Sequence, residues 1–338
     1  MIHKKLLISF IIILIIVYVI IIILEHMPAK YQTITLEKEP RGIYSTPYSN
    51  ELTVVYDDKI VLYNELGDKK EYTIEFAVSY MEPMGDYAWI IDGEKNMYKL
   101  TYVSDTELEV SDVILRGITY IDAAPDAFGA VTSSGELYVY GDNECGWLGV
   151  EGENYISEPT KVDYINDVTK FVFSNGMSSV LTVQGEVYSS GCIDSQDYDK
   201  YICKFTRDEF LNGVKVIYGG SYLYSVCENG DIICSCGYSY SESDNGYTFR
   251  INQDISDKCI DNRITFFAEG MKYTLGKNDK GEVYYWGFDF LHVPKDKSDD
   301  GFWKSTPVRL TDIDGVEMVY GAMEVAYLKK GLDIYIIK

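Results

Sequence analysis

Polar and apolar residues alternate along this chain in two contrasting ways. Leu6 to Leu24 is a 19-residue apolar run, LLISFIIILIIVYVIIIIL, whose only polar atoms are on Ser9 and Tyr18. Beyond residue 30 no stretch holds a 3.6-residue apolar period. Short alternating runs of β-branched and aromatic residues recur instead, separated by turn residues, and this predicts an all-β domain.

The first pattern predicts a membrane helix. At about 1.5 Å per residue the run spans about 28 Å, close to the hydrocarbon thickness of a bilayer. It is longer than the apolar region of a cleaved signal peptide. The following EHMPAKYQ offers only a poor small-residue cleavage site, around Ala29. An uncleaved single-pass anchor over residues 6–24 is therefore expected, after a cytoplasmic tail of residues 1–5. Lys4 and Lys5 precede the run and Glu25 follows it. The positive-inside tendency then keeps the N-terminus cytoplasmic and places everything after the anchor outside the cytoplasm, at the cell membrane.

The second pattern contains a repeat: a strand, a tight turn ending in Gly, then Glu or Asp and a second strand. It is clearest in AVTSSGELYVYG (Ala130 to Gly141), VLTVQGEVYSSG (Val180 to Gly191), YSVCENGDIICSCG (Tyr224 to Gly237) and TLGKNDKGEVYYWG (Thr274 to Gly287). The last copy is VAYLKKGLDIYIIK, from Val325 to the C-terminus. The turn glycines are Gly135, Gly185, Gly230, Gly281 and Gly331, spaced 50, 45, 51 and 50 residues apart. AWIIDGEKNMYKL places Gly93 in the same role, and TVVYDDKIVLY around Asp58 is a weaker copy. Seven hairpins at this period, one per four-stranded blade, predict a seven-bladed β-propeller over residues 37–338. The last hairpin is short of strands, so YQTITL (Tyr31 to Leu36), in the 25–36 linker, is expected to complete that blade and close the ring.

GELYVYGDNECGWLG (Gly135 to Gly149), followed by Pro159 and Val162, resembles the repeat of the regulator of chromosome condensation family. That repeat reads approximately DGxVYxWGxNxxGQLG and then Pro-x-x-Val. GEVYYWG (Gly281 to Gly287) with TPVRL (Thr306 to Leu310) is a second copy. YGGSYLYSV, AEGMKYTL and YGAMEVAYL supply the next-repeat glycines. Trp147 stands where the family usually has Gln, and the family's histidine before the first hairpin strand is absent. The resemblance is specific over residues 116–338. It implies a seven-bladed propeller and a rigid disc whose face or loops bind another protein.

Charge narrows the partner. With 30 basic and 53 acidic residues the formal net charge is −23, which argues against nucleic acid. The Ile-, Tyr- and Lys-rich composition and short N-tail point to a bacterial surface protein. Candidate chemistry is sparse. His3 and His26 flank the anchor and leave His292 alone in the propeller, so a multi-histidine zinc site is excluded, and no nucleophile motif accompanies His292. DKSDDG sets Asp296, Ser298 and Asp300 at alternate positions, like the start of a calcium loop, but Pro307 holds the twelfth place. Asp197/Asp199 and Glu242/Asp244 read as turn residues. No cofactor is called for.

Seven cysteines leave at least one without an intramolecular partner. Cys227 lies across a hairpin turn from Cys234 and Cys236, so a Cys227–Cys234 or Cys227–Cys236 disulfide is one expectation and buried free thiols the other. For partner binding the candidates are loop aromatics: Trp147, Phe288, Phe290, Phe302 and Trp303, with Trp286 assigned to blade packing. The expected function is a non-enzymatic, membrane-anchored recognition module for a protein or other envelope ligand. The alternative is a glycan hydrolase or lyase using carboxylates in the propeller's central channel.

Overall fold

Seven antiparallel sheets follow one another along the chain in the computed structural model, which describes residues 31–174, 176–192, 201–220, 222–241, 246–271, 273–288, 303–310 and 313–338. The anchor run lies outside these residues; among them no helix is long and apolar enough to cross a membrane. Residues Thr33–Lys338 form one compact unit, a seven-bladed propeller. Six blades are built from consecutive strands. The seventh sheet pairs Met318–Gly321, Ala326–Lys330 and Asp333–Ile337 with the early strand Gln32–Thr35 at its outer edge. There Leu36 N donates to Leu332 O at 2.8 Å and Thr35 Oγ1 to Asp333 Oδ1 at 2.8 Å. The first and last described segments thus share one sheet.

The turn glycines do two things at once. Gly135, Gly185 and Gly281 have φ of 79°, 74° and 72°, the left-handed region that costs glycine nothing. They are also pressed against the next blade: a Cβ on Gly135 would lie 2.8 Å from Asp167 Cα, and one on Gly281 2.6 Å from Val316 N. The carbonyls of the three glycines accept the N–H groups of Val168, Val214 and Val316, at 3.0, 3.0 and 3.1 Å, where the following blade begins. Each glycine therefore turns its own hairpin and ties its blade to the next.

Blade two solves the same problem differently. Its left-handed turn residue is Lys95, at φ 67°, and Ile118 N donates to Lys95 O at 2.9 Å. Gly93, expected in that role, sits two positions earlier; its N–H bonds Ala77 O just as Ser133 N bonds Gly117 O in blade three. Asp92 braces this turn, its Oδ1 accepting from Glu94 N and Asn96 N at 2.8 Å each, as Asn278 does around the Gly281 turn of blade six.

The core lies between blades. Val131, Leu137 and Val139 of blade three meet Phe171 and Val180 of blade four, and Leu52, Val54 and Val61 of blade one meet Tyr327, Ile334 and Ile336 of blade seven. Each such side chain contributes about 1.5–3 kcal/mol by leaving water. Among the described residues one helix, Gln253–Asp261, joins blades five and six, capped by Asn252 and burying Ile255 and Cys259 one turn apart.

Candidate functional site in the axial channel

The innermost strand of each blade alternates between two environments. In blades two, three and four these strands are Val78–Pro83, Ile118–Ala124 and Val168–Ser174. Met81, Ile121 and Phe171 are fully buried between blades. Of the intervening side chains around the axis, Tyr80, Glu82, Tyr120, Asp122 and Lys170 are half-buried and Val172 is buried. Register places them in two layers. Tyr80, Tyr120 and Lys170 pair with Ile91, Val131 and Leu181, one rung from the hairpin turns. Glu82, Asp122 and Val172 pair with Trp89, Gly129 and Ser179, two rungs further along.

These groups interlock. The Tyr80 hydroxyl donates to Glu82 Oε2 at 3.2 Å, and Phe173 N donates to Asp122 Oδ2 at 2.6 Å, which holds the blade-three carboxyl against blade four. The rings of Tyr44 and Tyr80 lie 5.7 Å apart and those of Tyr80 and Tyr120 5.5 Å. The Lys170 ammonium lies 4.7 Å from the Tyr218 centroid and 5.5 Å from that of Tyr120. Among the described residues it makes no hydrogen bond or ion pair.

Enclosure by protein perturbs all three charges. Burial pushes Glu82 well above the usual carboxylate range, and the Asp122 carboxyl beside it adds to that. Burial raises Asp122 to about 6 against the opposing pull of the Phe173 N–H and Lys170. Burial lowers Lys170, although Asp122 and Glu82 resist. Burial thus shifts each of the three groups towards its neutral form.

Trp147 belongs to a different structure. Asn143, 1% exposed, organises the GDNECGWLG loop: its Nδ2 donates to Val150 O and Glu153 O at 2.8 and 2.7 Å, and its Oδ1 accepts from Leu148 N at 2.9 Å. A Cβ on Gly146 would lie 2.9 Å from Cys203 Cα in blade four. Ser190 Oγ donates to Gly146 O at 2.7 Å, Tyr164 Oη to Gly149 O at 2.6 Å, and Ser178 Oγ to Trp147 O. The Trp147 ring packs 5.3 Å from Phe173, and its Nε1 donates to Asp142 O. This loop fastens blade three to blade four, with Trp147 as its half-buried anchor.

Of the other aromatics, Phe288 ends one strand and Trp303 begins the next, paired with each other in register; Phe290 and Phe302 lie outside the described residues. So do Asp296, Ser298, Asp300, His292, Asp197, Asp199, Glu242 and Asp244. Trp286 is 1% exposed in the core between blades five and six. Cys227 is a free thiol, in neither disulfide considered from the sequence. It packs between blades four and five, whereas Cys234, opposite Tyr224, packs between blades five and six. The two thus occupy opposite faces of one sheet. Of Cys236 only the strand position is described.

A groove of about 520 Å³ opens beside Tyr48, Asn50, Glu51, Lys70, Asp86 and Asp105, at the ends of blades one and two. Burial raises the Glu51 carboxyl there, and Tyr48 is 37% exposed.

No family model matches the chain. Among solved structures, Prp20p from Saccharomyces cerevisiae is similar with a TM-score of 0.62 and 11% identity, over 86% of this chain and 81% of that one. Yeast RCC1 (Prp20) in its complex with Kap60 gives a TM-score of 0.61 at 11% identity, over 86% and 79% of the two chains. Human WBSCR16 gives 0.58 at 15% identity, over 79% and 78%. At these identities the likeness is one of fold, and that fold is an RCC1-like seven-bladed propeller.

Proposed function

We propose that this chain is a single-pass membrane protein displaying an acidic propeller outside the cytoplasm as a non-enzymatic module that binds a protein partner. The observation that carries the reading is the scaffold: a closed ring whose blades are fastened by turn carbonyls, interblade cores and the Asn143 loop. Such a rigid body presents loops and grooves without losing conformational entropy on binding. The same fold in yeast Prp20p is described with its binding to Gsp1p and histones and, separately, bound to Kap60. A charge of −23 favours a partner with a basic surface. The groove at Tyr48 is the surface we assign to it.

The test has two parts. On intact cells of the source, protease added outside should degrade the propeller, and protection equal to that of a cytoplasmic marker would overturn the display. The detergent-solubilised full chain, immobilised and exposed to solubilised envelope, should retain one saturable protein that the Tyr48→Ala variant retains poorly. Retention of nothing at a density that captures micromolar binders would overturn the recognition module.

A second reading rests on one observation, the adjacent Glu82 and Asp122 carboxyls with raised pKa values. A carboxylate-based glycan hydrolase or lyase would use such a pair. Turnover of a glycan panel, abolished by Glu82→Gln with partner retention intact, would favour it.

A further inference from the structure

In each blade the loop from the first to the second strand and the loop from the third to the fourth strand lie at the same end. Backbone bonds from Met271 N to Met323 O and from Met323 N to Ser49 O tie this end together across blades six, seven and one. The loops concerned are residues 45–51 and 64–68 of blade one, 84–86 and 103–107 of blade two, 125–126 and 143–154 of blade three, and 322–325 of blade seven. Every charged residue in them is acidic, Glu51, Glu65, Asp86, Asp105 and Glu324 among them, and none is lysine or arginine. The hairpin turns at the opposite end mix the signs, with Lys95 beside Glu94 and Lys280 beside Asp279.

The groove at Tyr48 opens within this acidic end. Glu51, Asp86 and Asp105 line it together with Lys70, whose Nζ is already engaged 3.1 Å from Asp105 Oδ1. Among the described residues the carboxyls of Glu51 and Asp86 make no hydrogen bond or ion pair. Glu51 is half-buried, and burial raises its carboxyl; Lys70 opposes this, and Glu65 and Asp105 add to it. Tyr102 also lines the groove, and its buried hydroxyl has no hydrogen-bond partner. The Tyr48 hydroxyl is raised by burial and then by the channel carboxyls Asp122 and Glu82, so negative charge at the axis reaches the groove as well.

We propose that this groove receives an arginine side chain of the protein partner, with the Tyr48 ring against the guanidinium plane and Glu51 and Asp86 as its carboxylate acceptors. The proposal rests on the reading of the chain as a recognition module and names what that module recognises. Three properties select a guanidinium over an ammonium. It is the more weakly hydrated cation, so it loses less on entering a half-buried groove. Its flat face stacks on an aromatic ring. Its five N–H donors can serve two carboxylates and the Tyr102 oxygen, where an ammonium has three. Leu66 and Val103 are exposed on two of the same loops. They offer apolar contact to residues flanking the arginine, which favours a polypeptide over a free amine.

The probe is the peptide acetyl-Gly-Leu-Arg-Leu-Gly-amide, titrated onto the immobilised, detergent-solubilised full chain. It should bind saturably and about tenfold more tightly than its lysine and citrulline analogues. Glu51→Gln/Asp86→Asn, shown to be folded by near-UV circular dichroism, should lose at least about tenfold in affinity, the scale of one charge-assisted hydrogen bond. Glu94→Gln, at the opposite end, should bind as the wild type does. No saturable binding at millimolar peptide, equal binding of either analogue, or wild-type affinity in the double variant would each overturn the arginine site. Retention of the envelope protein is read on the same immobilised chain. A protein retained equally by wild type and double variant, and not displaced by the arginine peptide, overturns the site while the recognition module stands. Specific peptide binding with no envelope protein retained supports the site and overturns the module reading alone.

Discussion

The two halves of the axial channel are built on the same backbone and filled with opposite chemistry. Around blades two to four the inward positions are Tyr80, Glu82, Tyr120, Asp122 and Lys170; around blades five to seven the corresponding positions are Val216, Tyr218, Phe266, Ala268, Met318 and Tyr320. The fold requires only that the positions be filled, and an apolar or aromatic residue does so without desolvating a charge. The charged arc is therefore a cost the propeller carries for another reason.

The largest effect should come from making the quiet arc resemble the charged one. Ala268 sits at the height of Glu82 and Asp122, paired with Leu275. Ala268→Asp should destabilise the protein by about 3 kcal/mol, the scale of an unpaired charge in a mostly buried site. Thermal unfolding at pH 7.5 measures it, and a melting temperature equal to that of the wild type would remove the distinction between the arcs.

A smaller effect comes from correcting the charged arc one group at a time. Lys170→Met removes the cation that favours an ionised Asp122. Adding Asp122→Asn keeps an acceptor for the Phe173 N–H while removing the charge. The double variant should therefore be more stable than Lys170→Met alone by about 2 kcal/mol at pH 7.5. A double variant less stable than the single one would mean that the carboxylate is stabilising as it stands.

The sequence made the blades legible because the turn glycines are under two constraints at once. Gly135, Gly185 and Gly281 must be left-handed and must also admit the next blade, so the same residue recurs at the same place. Blade two was read two residues out of register because Lys95 accepts the left-handed conformation there and Gly93 merely lies nearby. The helix Gln253–Asp261 escaped notice because only Ile255, Ser256 and Cys259 are buried, too few to draw a 3.6-residue period. Trp147 looked like an exposed anchor; its indole instead ties a loop to blade four. The channel cluster was unreadable as a motif because Glu82, Asp122 and Lys170 lie one repeat apart. A signal existed nonetheless. Glu82 and Asp122 each stand thirteen residues before the left-handed turn residue of their blade, Lys95 and Gly135, where blades four and six carry Val172 and Ala268. Two acids at a repeat position that elsewhere holds Val and Ala are conspicuous once the turns are aligned, and the Lys95 turn had first to be found.

The smallest expected effect is the pH dependence contributed by the Asp122 carboxyl. Burial raises its folded-state pKa to about 6 from an ordinary 3.8, so the folded protein holds this proton more tightly than the unfolded chain does. The associated stability is fully present below pH 3.8 and is lost as pH rises through 6. Exposed carboxylates that gain partners on folding, such as Glu136 beside Lys161 and Glu317 beside Lys329, act in the opposite sense, and only as pH falls towards their lowered values. Glu51 and Asp208, also raised by burial, act in the same sense as Asp122, so between pH 7.5 and pH 5 it is the difference between two variants that isolates Asp122. Lys170→Met should gain about 1 kcal/mol more stability on acidification than Lys170→Met/Asp122→Asn, after allowance for solvent reaching the half-buried carboxyl. Equal gains in the two variants would mean that Asp122 does not titrate as a buried carboxyl, and the contrast between the two arcs would lose its charge.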